Sequence, residues 1–242
     1  MNGSTNFILS KLLLEGRSYK QVYEEATRLG YLEGDPSYDI EGKDARSKLM
    51  ILNRLAFGVV SEEDNIVSIG IDAITGDEMK YWNSRGYVIK LLGYSSKQED
   101  GSISSCVIPT LIPQSNSLAG IHYANNIIQI SSRDMEEVSV IGSGAGRYPT
   151  ANSVITDLLY ISNHEFVNAA VWPARQDRKV HSSVRGTFLF RVGVELTTLE
   201  DTTLDEAMAQ RDALLNGSSN KAMFMMRLYS VCNKHHNISN NS

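Results

Sequence analysis

The chain has 242 residues, 42% of them hydrophobic, and carries a formal net charge of -5 at pH 7. This length and composition allow a substantial core, in one large domain or in one domain with a smaller appendix. The negative charge, and the lack of a basic run with interleaved aromatic residues, argue against a nucleic-acid partner.

The cysteine content and the apolar pattern indicate the cellular setting. Only Cys106 and Cys232 are present, so there is no disulfide framework, and neither stands at zinc-ligand spacing from a histidine. The N-terminus lacks the features of a secretory signal, and no apolar run approaches membrane-spanning length. We therefore expect a soluble, cytoplasmic protein with no membrane partner and no metal site.

The N-terminal sequence predicts two helices in close succession. The first ends at Leu14, with Ser4 or Thr5 as its N-cap and Gly16 as its stop signal. The second covers residues 18–29, where a serine can cap the helix and a glycine follows its last residue.

The next stretch, GYLEGDPSYDIEGKDARSK, holds more ionisable side chains than any other part of the chain and ends at Lys48. A helix is predicted to begin near Gly42, because acidic residues precede this glycine and apolar residues then recur at helical spacing. Asp44 and Lys48 are four residues apart, so they share one helical face with the acid on the N-terminal side.

Two interpretations of this stretch stay open on spacing alone. A loop that carries Glu33 and Asp39 to a helical lysine could hold a substrate ammonium and supply a proton-transfer group. The alternative is a solvated acidic loop followed by an exposed ion pair between Asp44 and Lys48, worth roughly a few tenths of a kcal/mol. Spacing without further information favours the alternative.

The middle of the chain predicts strands. Residues 65–74 alternate as a half-buried strand does, and a short helix is predicted over 77–83. Two β-rich runs, 87–95 and 103–113, are separated by a polar segment that contains a glycine, as an antiparallel pair requires. We interpret Lys90 in the first run as a snorkelling residue at the edge of the core rather than as a site residue.

Prolines and further strands complete the middle region. Pro109 and Pro113 confine the second β-rich run to a sheet edge or end it. Residues 119–131 and 136–141 supply two more strand-like stretches. These patterns predict an α+β fold with a mixed, largely antiparallel sheet covered by helices and with a small C-terminal β-α-β appendix.

The sequence GSGAGRYPTANSVITDLLY follows the last of these strands. A strand that leads into Gly142, Gly144 and Gly146, with Pro149 near the first helical turn, brings free backbone N–H groups to a helix N-terminus. Arg147 stands where the dinucleotide fingerprint requires a glycine, so the full Rossmann pattern fails. The pattern leaves a tight structural turn and a ligand-contacting turn equally open.

The C-terminal part predicts a linker followed by a small unit. Residues 173–185 are polar and basic, as is typical of a linker. Residues 186–232 contain a strong strand, an amphipathic helix and a second strand, which predict the β-α-β appendix. Residues 233–242 have the composition of a disordered tail, and we assign no chemistry to its two adjacent histidines.

Three motifs, in this order, resemble the catalytic region of homoserine dehydrogenase: NGSTNFIL, LGYLEGDPSYDIEGKDARSKLMIL and GSGAGRYPTANSVITDL. The resemblance covers roughly residues 1–160 and implies a catalytic and substrate-binding domain over 1–172. It implies reduction of L-aspartate 4-semialdehyde to L-homoserine with NADPH or NADH, within threonine, methionine and isoleucine biosynthesis. The C-terminal unit faintly resembles part of the ACT regulatory module.

The resemblance also implies roles for individual residues. Glu33 corresponds to the substrate-binding glutamate of the family, and Lys48 to its proton-donating lysine. Asp39 and Asp44 match the acids that hold the polar groups of the substrate and orient the lysine. The turn that faces the nicotinamide of NADP or NAD is matched by Gly144, Ala145 and Gly146.

Family members begin with a Rossmann domain that binds the dinucleotide, and the resemblance begins here where that domain ends. It therefore implies a catalytic part that needs a Rossmann half, either on a separate chain or lost from this sequence, to bind the cofactor well. It also implies a homodimer. A non-catalytic dimerising or ligand-binding remnant is the alternative, and a purely structural oligomerisation module is the weakest interpretation because all four substrate-site residues are present.

Overall fold

A computed structural model describes residues 2–29, 37–132, 134–144, 146–163, 176–192, 195–216 and 223–229. Its helices are α1 (Gly3–Leu14), α2 (Tyr19–Arg28), α3 (Ser37–Ile40), α4 (Lys43–Phe57), α5 (Gly76–Asn83), α6 (Arg147–Asn163) and α7 (Leu204–Asn216). Its strands are β1 (Val67–Ser68), β2 (Tyr87–Lys97), β3 (Ile103–Pro113), β4 (Asn125–Ser132), β5 (Glu136–Ser143), β6 (Val180–His181), β7 (Arg185–Val192), β8 (Glu195–Thr203) and β9 (Met223–Leu228).

Strand β3 lies at the centre of a mixed sheet that contains seven of the strands in the described residues. One edge of β3 pairs antiparallel with β2 along its whole length, as predicted. Its other edge pairs in succession with the parallel strands β6, β1 and β9. The sheet continues through the antiparallel strands β7 and β8, and β4 and β5 form a separate antiparallel hairpin. The predicted α+β fold with a mixed, largely antiparallel sheet is confirmed.

The two faces of β3 separate two cores. Because alternate residues of a strand point to opposite faces, Val107 and Leu111 pack with the apolar residues of α1, α2, α4 and α5. Cys106 and Ile108 point to the other face, where they pack with Phe188 of β7 and with α7. The sheet therefore has helices on both faces, and α1 and α4 share the first one.

The expectation that Pro109 marks an edge or an end is wrong, because β3 is a central strand. Val107 and Leu111 direct their carbonyl groups toward the neighbours opposite β2, where they accept from Ile69 and Tyr229. Pro109 lies between them and faces the same edge of β3. At this position β1 no longer pairs with β3 and β9 does not yet pair with it, so no partner strand needs an N–H group from Pro109. Pro113 does end the strand, as predicted.

Two other strand predictions are corrected. Only Val67–Ser68 of the predicted strand 65–74 forms a strand, because residues 63–65 form a 3-10 turn before it and the chain leaves the sheet after it, where the Ile71 amide donates to the Ile40 carbonyl. In the predicted strand 119–131, the first residues belong to another 3-10 turn, and β4 starts only at Asn125. In the first stretch the apolar alternation marks the buried residues Ile66, Ile71 and Ile74, but in neither stretch does it give the backbone conformation.

The C-terminal region contains one strand more than the sequence predicted. Strand β8 lies between the predicted strand β7 and helix α7, and it reverses the chain, so that β7 and β9 are antiparallel. Part of the predicted linker also pairs, because Val180–His181 forms β6 against β3. Strand β9 joins β3 directly, so the C-terminal unit shares the main sheet, and the boundaries at 172 and 186 stay a prediction. The predicted tail, 233–242, lies outside the described residues.

Candidate functional site

Asn2 starts helix α1 and connects it to the acidic residues. Its Oδ1 accepts a hydrogen bond from the Thr5 amide at 2.7 Å, so Asn2 is the N-cap and the predicted caps Ser4 and Thr5 lie inside the helix. Its Nδ2 donates to Oδ1 of Asp39 at 2.5 Å and to Oδ2 of Asp44 at 2.6 Å. One buried amide therefore holds two carboxylates that come from α3 and α4.

Lys48 is bound to the same carboxylate oxygen. Its Nζ lies 2.7 Å from Oδ2 of Asp44, with 44% of the Lys48 side chain and 24% of the Asp44 side chain exposed. The predicted pairing on one face of a helix is confirmed. Asp44 thus fixes the direction of an ammonium that still reaches solvent, which is the position required of a group that contacts a bound ligand.

Gly42 places the start of α4 and so the position of Asp44. Its φ of +78° lies in the left-handed region, and a Cβ atom there would lie 2.7 Å from the Ser68 hydroxyl oxygen. Glycine therefore allows the chain to turn into α4 while packing against β1. The prediction that this helix begins near Gly42 is confirmed.

Burial and a neighbouring charge both change the pKa of the Asp39 carboxyl group. Burial raises the pKa of this carboxyl group above its ordinary value of 3.8. The hydrogen bond from Asn2 opposes this shift, and the neighbouring carboxylate of Asp44 adds to it. Asp39 therefore takes up a proton more readily in the folded protein than in the unfolded chain.

The glycine turn between β5 and α6 packs against the segment that precedes β4. The amide of Gly144 donates to the carbonyl of Ala124 at 3.0 Å. A Cβ atom on Gly144 would lie only 1.8 Å from Nδ2 of Asn126, so this position has room for glycine alone unless Asn126 moves. Gly146 has a φ of +124°, which also favours glycine.

A small cavity connects these two parts of the molecule. Asn2, which binds Asp39 and Asp44, lines it on one side, and Asn126, which packs on Gly144, lines it on the other. The acidic residues and the glycine turn do not line the cavity themselves, but each contacts a residue that does, Asn2 or Asn126. We call this arrangement the candidate site.

Lys90 lies inside this cavity wall and does not snorkel to the surface as expected. The residue is 7% exposed, and its Nζ donates to Oδ1 of Asn6 at 2.9 Å and to the carbonyl oxygen of Ile121. Burial lowers its pKa to about 8. The signal in the sequence was a single lysine within the apolar run YVIKLL, which indicates burial but not a bonding partner.

Some predicted residues and sites are not placed. Glu33 and Ala145 lie outside the described residues. The described part of the chain contains no group of three or more His, Cys, Asp or Glu side chains arranged to hold a metal ion. None of its helices is long and apolar enough to cross a membrane.

The residues at the turn fit one end of a dinucleotide cofactor. Oδ1 of Asn126 is buried and has no hydrogen-bond partner among the described residues, so it offers an acceptor beside Gly144. An acceptor of this kind suits a carboxamide N–H. The β5–turn–α6 segment lacks the full dinucleotide fingerprint because of Arg147, so it does not supply a complete dinucleotide site.

Comparisons with known proteins identify the family of this chain. The family model for homoserine dehydrogenase matches residues 1–159. Homoserine dehydrogenase of Bacillus subtilis is 39% identical over 162 residues, which are 66% of this chain and 37% of that protein. The enzyme of Helicobacter pylori is 30% identical over 243 residues, 97% of this chain and 58% of that protein. The chain therefore spans about a third to just over half of these relatives' length.

Solved structures extend the similarity beyond the residues that the family model matches. A homoserine dehydrogenase from Thiobacillus denitrificans superposes with a TM-score of 0.80 at 28% identity, over 95% of this chain and 62% of that chain. A hyperthermophilic archaeal homoserine dehydrogenase in complex with NADPH gives a TM-score of 0.53 at 31% identity, over 67% of this chain and 45% of that one.

Proposed function

The chain belongs to the homoserine dehydrogenase family, and we propose that it is the catalytic part of a cytoplasmic enzyme that reduces L-aspartate 4-semialdehyde to L-homoserine. The observation that carries this proposal is the network in which Asn2 and Lys48 bind one oxygen of Asp44, with Asn2 also lining the cavity that Asn126 lines. The proposal concerns the activity of a complete enzyme, since the chain spans only part of its relatives.

Lys48 is the proton donor in this proposal. The cofactor, NADPH or NADH, supplies the hydride when it is bound. Negative charge then develops on the aldehyde oxygen, and an ammonium group can stabilise this charge and transfer a proton to it. Asp44 accepts one N–H of Lys48 and so directs the remaining N–H groups. Positioning of this kind lowers the barrier because no reorientation is needed during the reaction.

The acidic residues bind the substrate in this proposal. Asp39 and Asp44 lie together on the Asn2 amide, and Glu33 belongs to the same acidic segment of the sequence. Their carboxylates suit the ammonium of homoserine or aspartate semialdehyde. The shared amide of Asn2 also reduces the repulsion that two neighbouring carboxylates exert on each other.

The glycine turn faces the nicotinamide in this proposal. Asn126 packs on Gly144 and offers its unpaired Oδ1 to the carboxamide, and Gly146 has no side chain that would keep a flat ring from the backbone. Ala145 belongs to the same turn in the sequence. The choice between NADP and NAD depends on contacts at the ribose, which the turn does not reach.

Helix α6 supplies a surface for a Rossmann domain. No residue of α6 is buried within the described structure, although the helix carries many large apolar side chains. An exposed apolar helix face of this size is typical of a surface that packs against another domain. The exposed side chains are Tyr148, Val154, Ile155, Leu158, Leu159, Tyr160 and Ile161.

The β4–β5 hairpin supplies a second apolar surface, which we assign to a homodimer. Ile128 pairs with Val140, and Ile130 with Val138, so these four side chains share one face. The opposite face carries Ile127, which packs toward the core. The outer face has no partner among the described residues, and two copies of it could cover each other.

The activity test uses this chain with a separately expressed Rossmann domain from a homoserine dehydrogenase. Oxidation of NADPH is followed by absorbance after aspartate semialdehyde is added. We expect activity in the mixture, and activity should be lost with Lys48→Ala but kept with Lys80→Ala, a variant of an exposed lysine on α5. An inactive mixture of folded halves would favour the alternative, a non-catalytic dimerising or ligand-binding remnant.

A further inference from the structure

Lys90 is a buried cation that the proposed reaction does not use. It lies in the middle of β2, and the groups that bind its ammonium are an amide oxygen and a backbone carbonyl. No carboxylate of the described residues takes part in these bonds. Burying a cation without an opposite charge costs free energy of folding. Stabilisation of the core therefore does not explain why a lysine is buried at this position.

Asn6 connects Lys90 to residues 121–125 by hydrogen bonds. Its Oδ1 accepts from Lys90, and its Nδ2 donates to the carbonyl groups of Tyr123 at 2.9 Å and Asn125 at 3.1 Å. The amide of Tyr123 donates to the hydroxyl group of Ser10 at 3.0 Å. Residues 121–125 are thus attached to α1 at several points, and Lys90 binds both.

The backbone of Tyr123 has a conformation that its own φ preference disfavours. Its φ of +57° lies in the left-handed region, which residues with a Cβ atom rarely adopt. Such a conformation persists where the surrounding contacts impose it. The bonds from Asn6 and to Ser10 are those contacts.

Both ends of this assembly reach the candidate site. One turn before Asn6, the same helix begins at Asn2, which binds the acids Asp39 and Asp44. Directly after Tyr123, the carbonyl of Ala124 accepts from Gly144. Lys90 therefore lies at the junction between the substrate side and the glycine turn.

We propose that Lys90 is a positioning residue whose buried ammonium holds α1 against residues 121–126, and so sets the glycine turn relative to Asp44 and Lys48. This proposal rests on the proposed function only in treating Asp44, Lys48 and the glycine turn as parts of one active site. The contacts of Lys90 are observed whatever that function is. The charge of Lys90 also reaches His122, whose pKa is lowered by burial and by this charge. Asn2 and Asn6 line the same cavity as Lys90, and Thr110 is paired with Lys90 across β2 and β3; none of these three side chains titrates.

The first test is amide hydrogen exchange on the full chain with Lys90→Met, which keeps the length of the side chain. Lys97→Met is the control, because Lys97 is an exposed residue on the same strand. We expect the protection of the Tyr123 and Gly144 amides to fall about tenfold or more relative to the Ile108 amide in the core, as loss of a local hydrogen-bond network predicts. An equal fall at all three amides, or no fall, would overturn the proposal.

The second test is Asn6→Asp, which decides the matter even if Lys90→Met does not fold. The carboxylate keeps an acceptor for Lys90 but lacks the Nδ2 that donates to Tyr123 and Asn125. Because the ammonium of Lys90 still bridges position 6 and the carbonyl of Ile121 in this variant, the Gly144 amide should keep its protection. Asn6→Leu removes the acceptor as well and should lower that protection about tenfold; equal protection in the two variants would overturn the proposal. Where the reconstituted mixture is active, Lys90→Met should lower kcat more than it raises KM. An inactive mixture counts against the proposed function and leaves the exchange result standing.

Discussion

The side-chain nitrogen of Asn2 lies 2.6 Å from Oδ2 of Asp44, although 42 residues separate them in the chain. The same oxygen accepts from Lys48. An N-cap residue therefore does two tasks, since it starts α1 and also holds the acid that orients the lysine. Stability and the geometry of the site are linked at this one side chain.

Replacing Asn2 with alanine should therefore affect both properties. We expect Asn2→Ala to lower the free energy of unfolding by about 1 kcal/mol, the usual cost of a lost N-cap. It should also weaken homoserine binding, because Asp39 and Asp44 lose their shared donor. Urea unfolding and a binding titration measure the two effects. Ser18→Ala removes the cap of α2, away from the site, and should lower stability alone; an equal effect of both variants on binding would contradict the link.

The pKa of Asp39 predicts a pH dependence of stability. Because its pKa is raised in the folded state, the native protein binds more protons than the unfolded chain above the ordinary value of 3.8. The stability contributed by protonated Asp39 is present below pH 3.8 and is lost as the pH rises through the folded-state pKa. Compared with wild type, Asp39→Asn should therefore gain stability as the pH rises through this window. Denaturant unfolding at several pH values measures this difference, and a constant difference would contradict the shift.

The contact between Gly144 and Asn126 predicts a rescue. Gly144→Ala places a methyl group into the side chain of Asn126 and should displace the turn, lowering stability and cofactor-dependent activity. Adding Asn126→Ala removes the clash and should restore stability. Gly142→Ala is the control, because a Cβ atom there meets nothing within 4 Å. A double variant as unstable as Gly144→Ala would show that the clash is not the cause. Thermal unfolding and the reconstituted assay measure these outcomes.

The two apolar surfaces predict separable association defects. Leu158→Glu on α6 should prevent binding of the Rossmann domain and leave the dimer intact, whereas Val140→Lys on the hairpin should do the reverse. A buried, unpaired charge is costly at an interface, so either effect should be large. Analytical ultracentrifugation, with and without the Rossmann domain, measures both. Loss of both associations in one variant would contradict the assignment of separate surfaces.

Local patterns in the sequence were enough to predict part of this structure. The pairing of Asp44 with Lys48 follows from helical spacing, and the pairing of β2 with β3 follows from two apolar runs around a polar segment. Strand β8 was missed because ELTTLEDTT is polar, although its threonines favour strands.

The parts that could not be predicted depend on distant contacts. The bonds from Asn2 to Asp39 and Asp44, and from Lys90 to Asn6, join residues 37 to 84 positions apart. No local pattern encodes such pairs. A single asparagine or lysine in the sequence shows only that a polar group is present, and its partner is fixed when the sheet and the helices pack.

The catalytic role of Lys48 is tested most directly by steady-state kinetics of Lys48→Ala in the reconstituted mixture, with Lys80→Ala as control. If its ammonium stabilises the charge that develops during the reaction, as we propose, kcat should fall about a hundredfold or more, with a smaller rise in KM for aspartate semialdehyde. Unfolding curves show whether the variant stays folded. A folded Lys48→Ala variant with unchanged kcat would contradict the role of Lys48 as the proton donor.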